Sequence, residues 1–468
     1  MPPHASTSQR PSPPPAAAPA PLMLGVSGTR GIVGQSLTPE IVTRYAAAVG
    51  SHLRQVGGVA QPHVVVGRDS RPSGPMCEAA AMAGLLAVGC RVTQLGVATT
   101  PGTAIMIDHL GADGGLVITA SHNPIIWNGL KALRHDTAAP PPDEANEIIS
   151  RFREERIDYV DVDALGFADA DDGAAAVHCA RVVELVDVEA IRAAKLRVVV
   201  DSVHGAGGAE AAALLEHLHV ERVHLYAEPT GRFPHGPEPL AENLTDLARA
   251  VAEHGAHAGF AQDPDADRLA IVDEMGRYIG EEYTLALCAL HTLGPRDVAV
   301  ANLSTSRMLD DVAERAGARV YRCPVGEAHV AAVMQQHGAV IGGEGNGGVI
   351  WPRVTWARDS LAGMAIVLEM LARRGQALSA IVDTIPRYAI VKDKLPVDPA
   401  VVARLGSSLG KHFAGQRIDE QDGVRVDVDD AWVHVRPSNT EPILRLFAEA
   451  PQQATAEKLI AEVKKAIA

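Results

Sequence analysis

Apolar and polar positions along the chain repeat one local pattern. A short β-branched run gives way to a polar turn bearing glycine or serine, and a stretch rich in alanine and leucine with helical character follows. The pattern occurs as HVVVGRDSR then PSGPMCEAAAMAGLLAVG, as LRVVVDSVHGAGG then AEAAALLEHL, and as DVAVANLSTS then RMLDDVAERAG. Strands alternating with helices predict sheets with parallel strands and covering helices. Three such units predict three α/β domains built alike, with mixed, mostly parallel sheets. The last part of the chain departs from this. VRVDVDDAWVHVRPS alternates polar and apolar positions, ILRLFAEA reads as another strand, and ATAEKLIAEVKKAIA reads as a helix. Strands paired around one helix predict a smaller α+β domain.

Composition shifts place seams at 153–176, near 273–280 and near 384–396. The expected organisation is a Pro/Ala-rich tail over 1–22, then domains over 23–165, 166–273, 274–384 and 385–468. The first 22 residues lack the continuous apolar core of a signal peptide and read as disordered. Met23 is an alternative start, which mass spectrometry of the native N-terminus tests. A chain of 468 residues is too long for one hydrophobic core, which agrees with several domains.

The net charge of −15, from 42 basic and 57 acidic residues, argues against a nucleic-acid partner. It also means that an anionic substrate needs a positive site built for it. No apolar run reaches the length of a membrane span. The five cysteines are scattered, with no C-x-x-C pair, and read as reduced filler in a cytoplasmic protein.

Five stretches carry candidate chemistry. In GLVITASHNP an apolar run ends on Ser121, flanked by His122 and Asn123, with Lys131 ten residues beyond Ser121. Taken alone, Ser121 reads as a helix N-cap or a serine turn. Asp263, Asp265 and Asp267 alternate in DPDADR. On an extended loop they share a face, and a hard divalent cation offsets their repulsion. A calcium EF-hand is the alternative, with Glu274 at its twelfth position, but Arg268 stands where that loop needs glycine and the flanks read as strands. Magnesium is favoured over calcium, with Arg268 free to meet an anion. RPSNTEP bunches Arg436, Ser438, Asn439 and Thr440 between two strands, either a phosphate grip or an ordinary polar hairpin. GGEGNGG offers close backbone approach, with Glu344 and Asn346 able to bond sugar hydroxyls. GVSGTRG places Arg30 in a loop of its own.

Taken together and in this order, the five stretches resemble the α-D-phosphohexomutase family, and the resemblance spans nearly the whole chain from Leu24. It implies four domains around one deep cleft, each giving one loop. Ser121 matches the serine that carries a phosphoryl group. Asp263, Asp265 and Asp267 match ligands of Mg2+, with the phosphoserine as a further ligand. Arg436, Ser438, Asn439 and Thr440 match the loop that holds the substrate's other phosphate. Glu344 and Asn346 lie in the sugar-reading loop. His122 and Lys131 match groups for proton transfer, Arg30 and Arg268 flank the transferring group, and His329 in PVGEAHV matches a sugar-contacting histidine.

The implied reaction interconverts hexose 6-phosphate and hexose 1-phosphate through a bisphosphate. Hexose phosphates and their bisphosphate are the expected partners, with no nucleic acid and no membrane; the motifs carry no information on oligomeric state. Many relatives have serine and histidine where this chain has Asn346 and Gly348. GEGNGG resembles the version found in phosphoglucosamine mutases and some phosphomannomutase/phosphoglucomutases. Glucosamine phosphate is the expected substrate, with mannose or glucose phosphate next. A serine-dependent phosphatase is the alternative from another enzyme class.

Overall fold

A computed structural model of the protein describes residues 21–396, 399–438 and 443–467. The expected tail therefore lies, except for its last two residues, outside the described residues.

Four sheets are present. The first contains β1 (Met23–Gly25), β2 (Gly28–Ile32), β3 (His63–Arg68), β4 (Arg91–Val97), β5 (Gly114–Ile118), β6 (Trp127–Arg134) and β7 (Ala168–Ala170). Its spatial order is β1-β2-β6-β5-β3-β4-β7. The second has β8 (Arg197–Asp201), β9 (Glu221–Leu225), β10 (Ala258–Gln262) and β11 (Leu269–Asp273), in the order β11-β10-β8-β9. The third has β12 (Val298–Asn302), β13 (Arg319–Cys323), β14 (Ile341–Glu344) and β15 (Gly348–Ile350), in the order β13-β12-β14-β15.

One four-stranded unit recurs in all three. In each, a central strand pairs parallel with two neighbours, and one of those neighbours pairs antiparallel with the strand that follows it in sequence. The units are β6-β5-β3-β4, β11-β10-β8-β9 and β15-β14-β12-β13. The sheets are mixed, as expected, and the antiparallel hairpin, whose place the sequence pattern did not reveal, is what makes them so. In the first sheet parallel and antiparallel pairings are equal in number, against the expected parallel majority, because β1-β2 and β2-β6 are antiparallel as well. The consequence is functional. The three hairpin loops contain Ser121, the three aspartates and Gly345–Gly347, so the repeat brings three corresponding loops to one side.

The fourth sheet is antiparallel: β16 (Ala389–Pro396), β17 (Arg417–Asp419), β18 (Val424–Val428), β19 (Ala431–Pro437) and β20 (Ile443–Ala450), in the order β16-β20-β19-β18-β17. The helix Gln453–Ile467 packs its Leu459, Ile460 and Val463 on it. Two seams differ from the compositional reading. β7, beyond residue 165, pairs with β4 and extends the first sheet. Residues 389–396 form β16, a full edge strand.

The largest core is shared by the second and third sheets, running from Val198 and Phe260 to Leu361 and Met370. The fourth sheet has a core of its own. Polar contacts join it to the third unit: His434 Nδ1 with Ser304 Oγ at 2.8 Å, Val325 N donating to Asp422 Oδ2 at 3.0 Å, and Lys392 Nζ to Glu281 Oε1 at 2.6 Å.

Where the first three units meet, His178 is fully buried between two carboxylates. Its Nδ1 lies 2.9 Å from Glu210 Oε2 and its Nε2 lies 2.8 Å from Asp359 Oδ2. Glu210 also accepts from Thr99 Oγ1, and Asp359 caps the helix Ser360–Arg374 through Leu361 N and Ala362 N. All five cysteines are free and buried. Among the described residues no helix is long and apolar enough to cross a membrane.

Candidate active site

β5 is apolar and wholly buried, and it delivers Ser121 to the base of a cleft. Ser121 is not glycine, yet it has φ 47°, a left-handed conformation that costs about 1–3 kcal/mol and persists only when its surroundings impose it. Arg71 imposes it here. This fully buried side chain donates from Nη2 to the carbonyls of Ser121 (2.6 Å) and Asn123 (2.7 Å), and from Nη1 to those of Pro124 (2.9 Å) and Trp127 (3.2 Å). Its Nε donates to Asp69 Oδ2 at 3.0 Å, and Asp69 in turn accepts from Thr119 Oγ1. A planar fork with five donors suits a loop that presents several carbonyls to one point. Ser121 Oγ donates to Asp263 Oδ2 at 2.9 Å and lies 3.4 Å from His122 Nδ1.

Asp263, Asp265 and Asp267 are all buried, and one carboxylate oxygen from each lies within 4.8 Å of the others. They do not converge along an extended loop as the sequence reading supposed. The chain turns: Ala266 N donates to Asp263 O at 2.9 Å, and Ala266 has φ 56°. The EF-hand alternative is excluded. The flanks are the paired strands β10 and β11, and Glu274 accepts from Ser379 N and Oγ instead of turning toward the aspartates.

The oxygens are unevenly satisfied. Asp265 Oδ2 accepts from Thr100 Oγ1 at 2.6 Å, and Asp267 Oδ2 accepts from Arg358 Nη2. Asp265 Oδ1 and Asp267 Oδ1 are buried with no hydrogen-bond partner among the described residues. Burial and the neighbouring Asp265 and Asp267 charges push the Asp263 carboxyl well above the usual range. For Asp267 burial acts in the same direction but is outweighed by Arg358, Lys131 and Arg268, which hold it below that range. Buried carboxylates with open oxygens and mutual repulsion are the donor set of a hard divalent cation, so these residues fit one. It is the single such cluster among the described residues.

Around this centre stand cations. Lys131, on β6, donates from Nζ to Glu327 Oε2 at 2.5 Å and lies 3.8 Å from Asp267 Oδ2. Arg30 Nη1 donates to Asn123 Oδ1 at 3.0 Å. Burial, Arg268 and Arg30 push the His122 imidazole far below its usual range, so it is neutral at pH 7. Arg30, Ser121, Lys131, Asp267, Arg268 and Arg358 all line a cavity of about 210 Å³.

A second cavity of about 240 Å³ adjoins it, and the two share Arg268, Val325, Glu344 and Asn346 as lining. Its far wall carries Lys392, Arg436 and Arg445. Arg436 is buried, with its Nε donating to Asp422 Oδ2 at 2.8 Å. Ser438 N donates to Ile443 O at 2.9 Å, while Asn439 and Thr440 lie outside the described residues. Glu344 accepts from Asn302 Nδ2 at 2.8 Å, from Gly326 N at 3.0 Å and from Arg358 Nη1 at 2.6 Å. Asn346 Oδ1 accepts from Gly348 N, which closes the turn. His329, on the helix Glu327–His337, lines neither cavity; it packs behind Gly326, in the fields of Asp422 and Glu344.

The structure thus gathers Arg30, Ser121, His122, Lys131, the three aspartates, Arg268, Glu344, Asn346 and Arg436 around one continuous space. The sequence reading overlooked Arg71, Thr100, Glu327, Arg358, Lys392 and Arg445. Glu327 stands two residues before the noted His329, and Arg358 opens a charged pair directly before an apolar helix. Those were the available signals.

Residues 21–158, 176–276 and 281–388 match phosphoglucomutase/phosphomannomutase alpha/beta/alpha domains I, II and III, and residues 389–466 match the C-terminal domain. A Thermococcus kodakarensis protein named phosphoglucomutase/phosphomannomutase is 38% identical over 444 residues, 94% of this chain and 96% of that one. A probable phosphoglucosamine mutase from Methanopyrus kandleri is 38% identical over 443 residues, 93% of this chain and 95% of its own. The crystal structure of a Burkholderia thailandensis phosphoglucomutase/phosphomannomutase family protein superposes with a TM-score of 0.82 at 28% identity, covering 95% of this chain and 98% of that one.

Proposed function

Because the chain belongs to the phosphoglucomutase/phosphomannomutase family and is a phosphohexomutase, an isomerase, we propose that it works through a phosphorylated Ser121 and a hexose bisphosphate. The observation that carries this reading is the contact of Ser121 Oγ with Asp263 at one end of a space whose other end holds Arg436, Lys392 and Arg445. A mutase needs two phosphate positions, one for transfer and one for the group that waits.

In the forward half-reaction the phosphoryl group passes from Ser121 Oγ to the free hydroxyl of a hexose monophosphate. The P–Oγ bond breaks, and the new P–O bond forms on the sugar. The hydroxyl proton passes to a nearby acceptor, for which His122, with Nδ1 3.4 Å from Ser121 Oγ, and Lys131 are the candidates. Lys131, held by Glu327, lines the same cavity as Ser121. Arg30 and Arg268 meet the phosphoryl oxygens. The bisphosphate then turns end for end. The Arg436 loop clasps the phosphate that is not reacting, and the group originally on the sugar returns to Ser121.

Asp263, Asp265 and Asp267 would hold Mg2+, with a phosphoryl oxygen on Ser121 as a further ligand. Magnesium bound there would supply positive charge against the group in transfer.

Glucosamine 6-phosphate and glucosamine 1-phosphate are the substrates we favour. Several relatives 32–38% identical are named probable phosphoglucosamine mutase, and one at 38% is named phosphoglucomutase/phosphomannomutase. Glucose or mannose phosphate is the second reading. A panel of glucosamine, N-acetylglucosamine, mannose and glucose phosphates, each with magnesium and a trace of the matching bisphosphate, decides between them. A glucosamine phosphate kcat/KM below those for glucose and mannose phosphates would overturn the first choice. Release of inorganic phosphate as the main product would replace the mutase reading with a phosphatase.

A further inference from the structure

Gly348 opens β15. A Cβ built on it would stand 2.2 Å from Arg358 Cδ and 3.1 Å from Arg358 Nε. The stem of Arg358 therefore runs through space that any side chain at 348 would take. Beyond that point its buried guanidinium is shared among three carboxylates. Nη1 donates to Glu344 Oε2 at 2.6 Å, Nη2 donates to Asp267 Oδ2, and Nε lies 3.8 Å from Glu327 Oε2. The backbone N of Arg358 donates to Glu327 Oε1 at 3.0 Å. Glu344 also accepts from Asn302 Nδ2 and Gly326 N on Oε1, and from Asn346 Nδ2 on Oε2 at a longer 3.5 Å.

We propose that Arg358 is a positioning residue for sugar recognition, fixing the Glu344 carboxylate relative to the transfer centre, and that Gly348 is the residue that admits it. This rests on the phosphohexomutase reading, which makes the Glu344 loop a sugar-contacting one. The loop from Gly345 to Gly348 has a single side chain beyond hydrogen, Asn346, and its one bond to Glu344, at 3.5 Å, is far longer than the 2.6 Å bond from Arg358. The guanidinium orients the glutamate from outside the loop. One planar fork ties Glu344, which lines both cavities, to Asp267, which belongs to the acidic cluster. The distance from sugar hydroxyls to transferring phosphoryl is then set by one rigid group. Lysine cannot replace it, because an ammonium is a point donor and cannot hold two carboxylates in a fixed plane.

The test is calorimetric titration of the full-length, unphosphorylated, metal-free protein with glucose 1-phosphate and, separately, with inorganic phosphate. Wild type is compared with Arg358→Lys, Gly348→Ala and the double variant. Each single substitution is expected to weaken glucose 1-phosphate at least tenfold and to leave inorganic phosphate within twofold. The double variant is expected to match Arg358→Lys within twofold, because both changes act on one guanidinium. If Arg358→Lys does not fold, Gly348→Ala carries the comparison. Glucose 1-phosphate affinity unchanged in a folded variant, equal weakening of both ligands, or additive losses would each overturn the inference. Wild-type protein that binds neither glucose 1-phosphate nor, titrated in the same way, glucosamine 1-phosphate would overturn the functional reading along with it, whereas normal wild-type binding with unaltered variants overturns the inference alone.

Discussion

His178 makes the stability of this protein depend on pH in a defined direction. Burial alone would lower the pKa of the imidazole, but Asp359 and Glu210, each within hydrogen-bond distance, outweigh burial and raise it to about 10. An unfolded histidine titrates near ~6.5. The folded value is the higher one, so the bridge is fully in place below pH ~6.5. Its contribution then drains away as pH rises through the folded value. The gap of about 3.5 units at ~1.4 kcal/mol per unit corresponds to roughly 5 kcal/mol as an upper bound. Because this bridge joins the first three units, the loss should appear in their common unfolding. The assay is urea unfolding of wild type and His178→Gln at several pH values from 6 to 10. Cysteine, tyrosine and lysine titrations occur in both proteins and cancel in the difference. The wild-type advantage should be largest at pH 6 and shrink by several kcal/mol by pH 10. A difference constant within about 1 kcal/mol across that range would refute a charged, bridging His178.

Further consequences follow from the same contacts. Arg71→Met leaves Asp69 buried without its cation and should cost about 3–5 kcal/mol of stability, with Asp69→Asn in the same protein recovering part of it; both are read by urea unfolding. Thr100→Val removes the donor to Asp265 Oδ2 and should weaken Mn2+ binding, followed by the free-Mn2+ EPR signal, by about 10–100-fold. Arg436→Ala removes a buried cation and should raise KM for hexose phosphate by about 2–5 kcal/mol, at least thirtyfold, with a smaller change in kcat.

The sequence disclosed the three strand–turn–helix repeats, the antiparallel C-terminal strands and the polar stretches that end up facing one another, because each is a local pattern. The strand after the aspartates was legible, but those after Ser121 and after the glycine-rich loop were not. β6 and β15 are almost wholly buried, so they lack the alternation that marks a half-exposed strand. Without them the hairpins, and hence the equivalence of the three loops, could not be seen. Arg71, Glu327 and Arg358 were missed for a related reason. Apart from the local Arg71–Asp69 pair, their roles come from partners 14 to 196 residues away, as in Arg358 with Glu344 and Lys131 with Glu327, and no spacing rule along the chain encodes such pairs. The aspartate triplet was legible as a cluster, but its geometry comes from the turn at Ala266, an alanine in a conformation that sequence alone gives no reason to expect.

The account depends most on Ser121 carrying the phosphoryl group in transit. Brief incubation of the protein with hexose 1-[32P]phosphate and magnesium, followed by peptide mapping, tests it directly. Label should appear on the peptide containing Ser121, vanish in Ser121→Ala, and accompany a loss of isomerisation of about three orders of magnitude or more. Undiminished isomerisation by Ser121→Ala, or label only on another peptide, would contradict it.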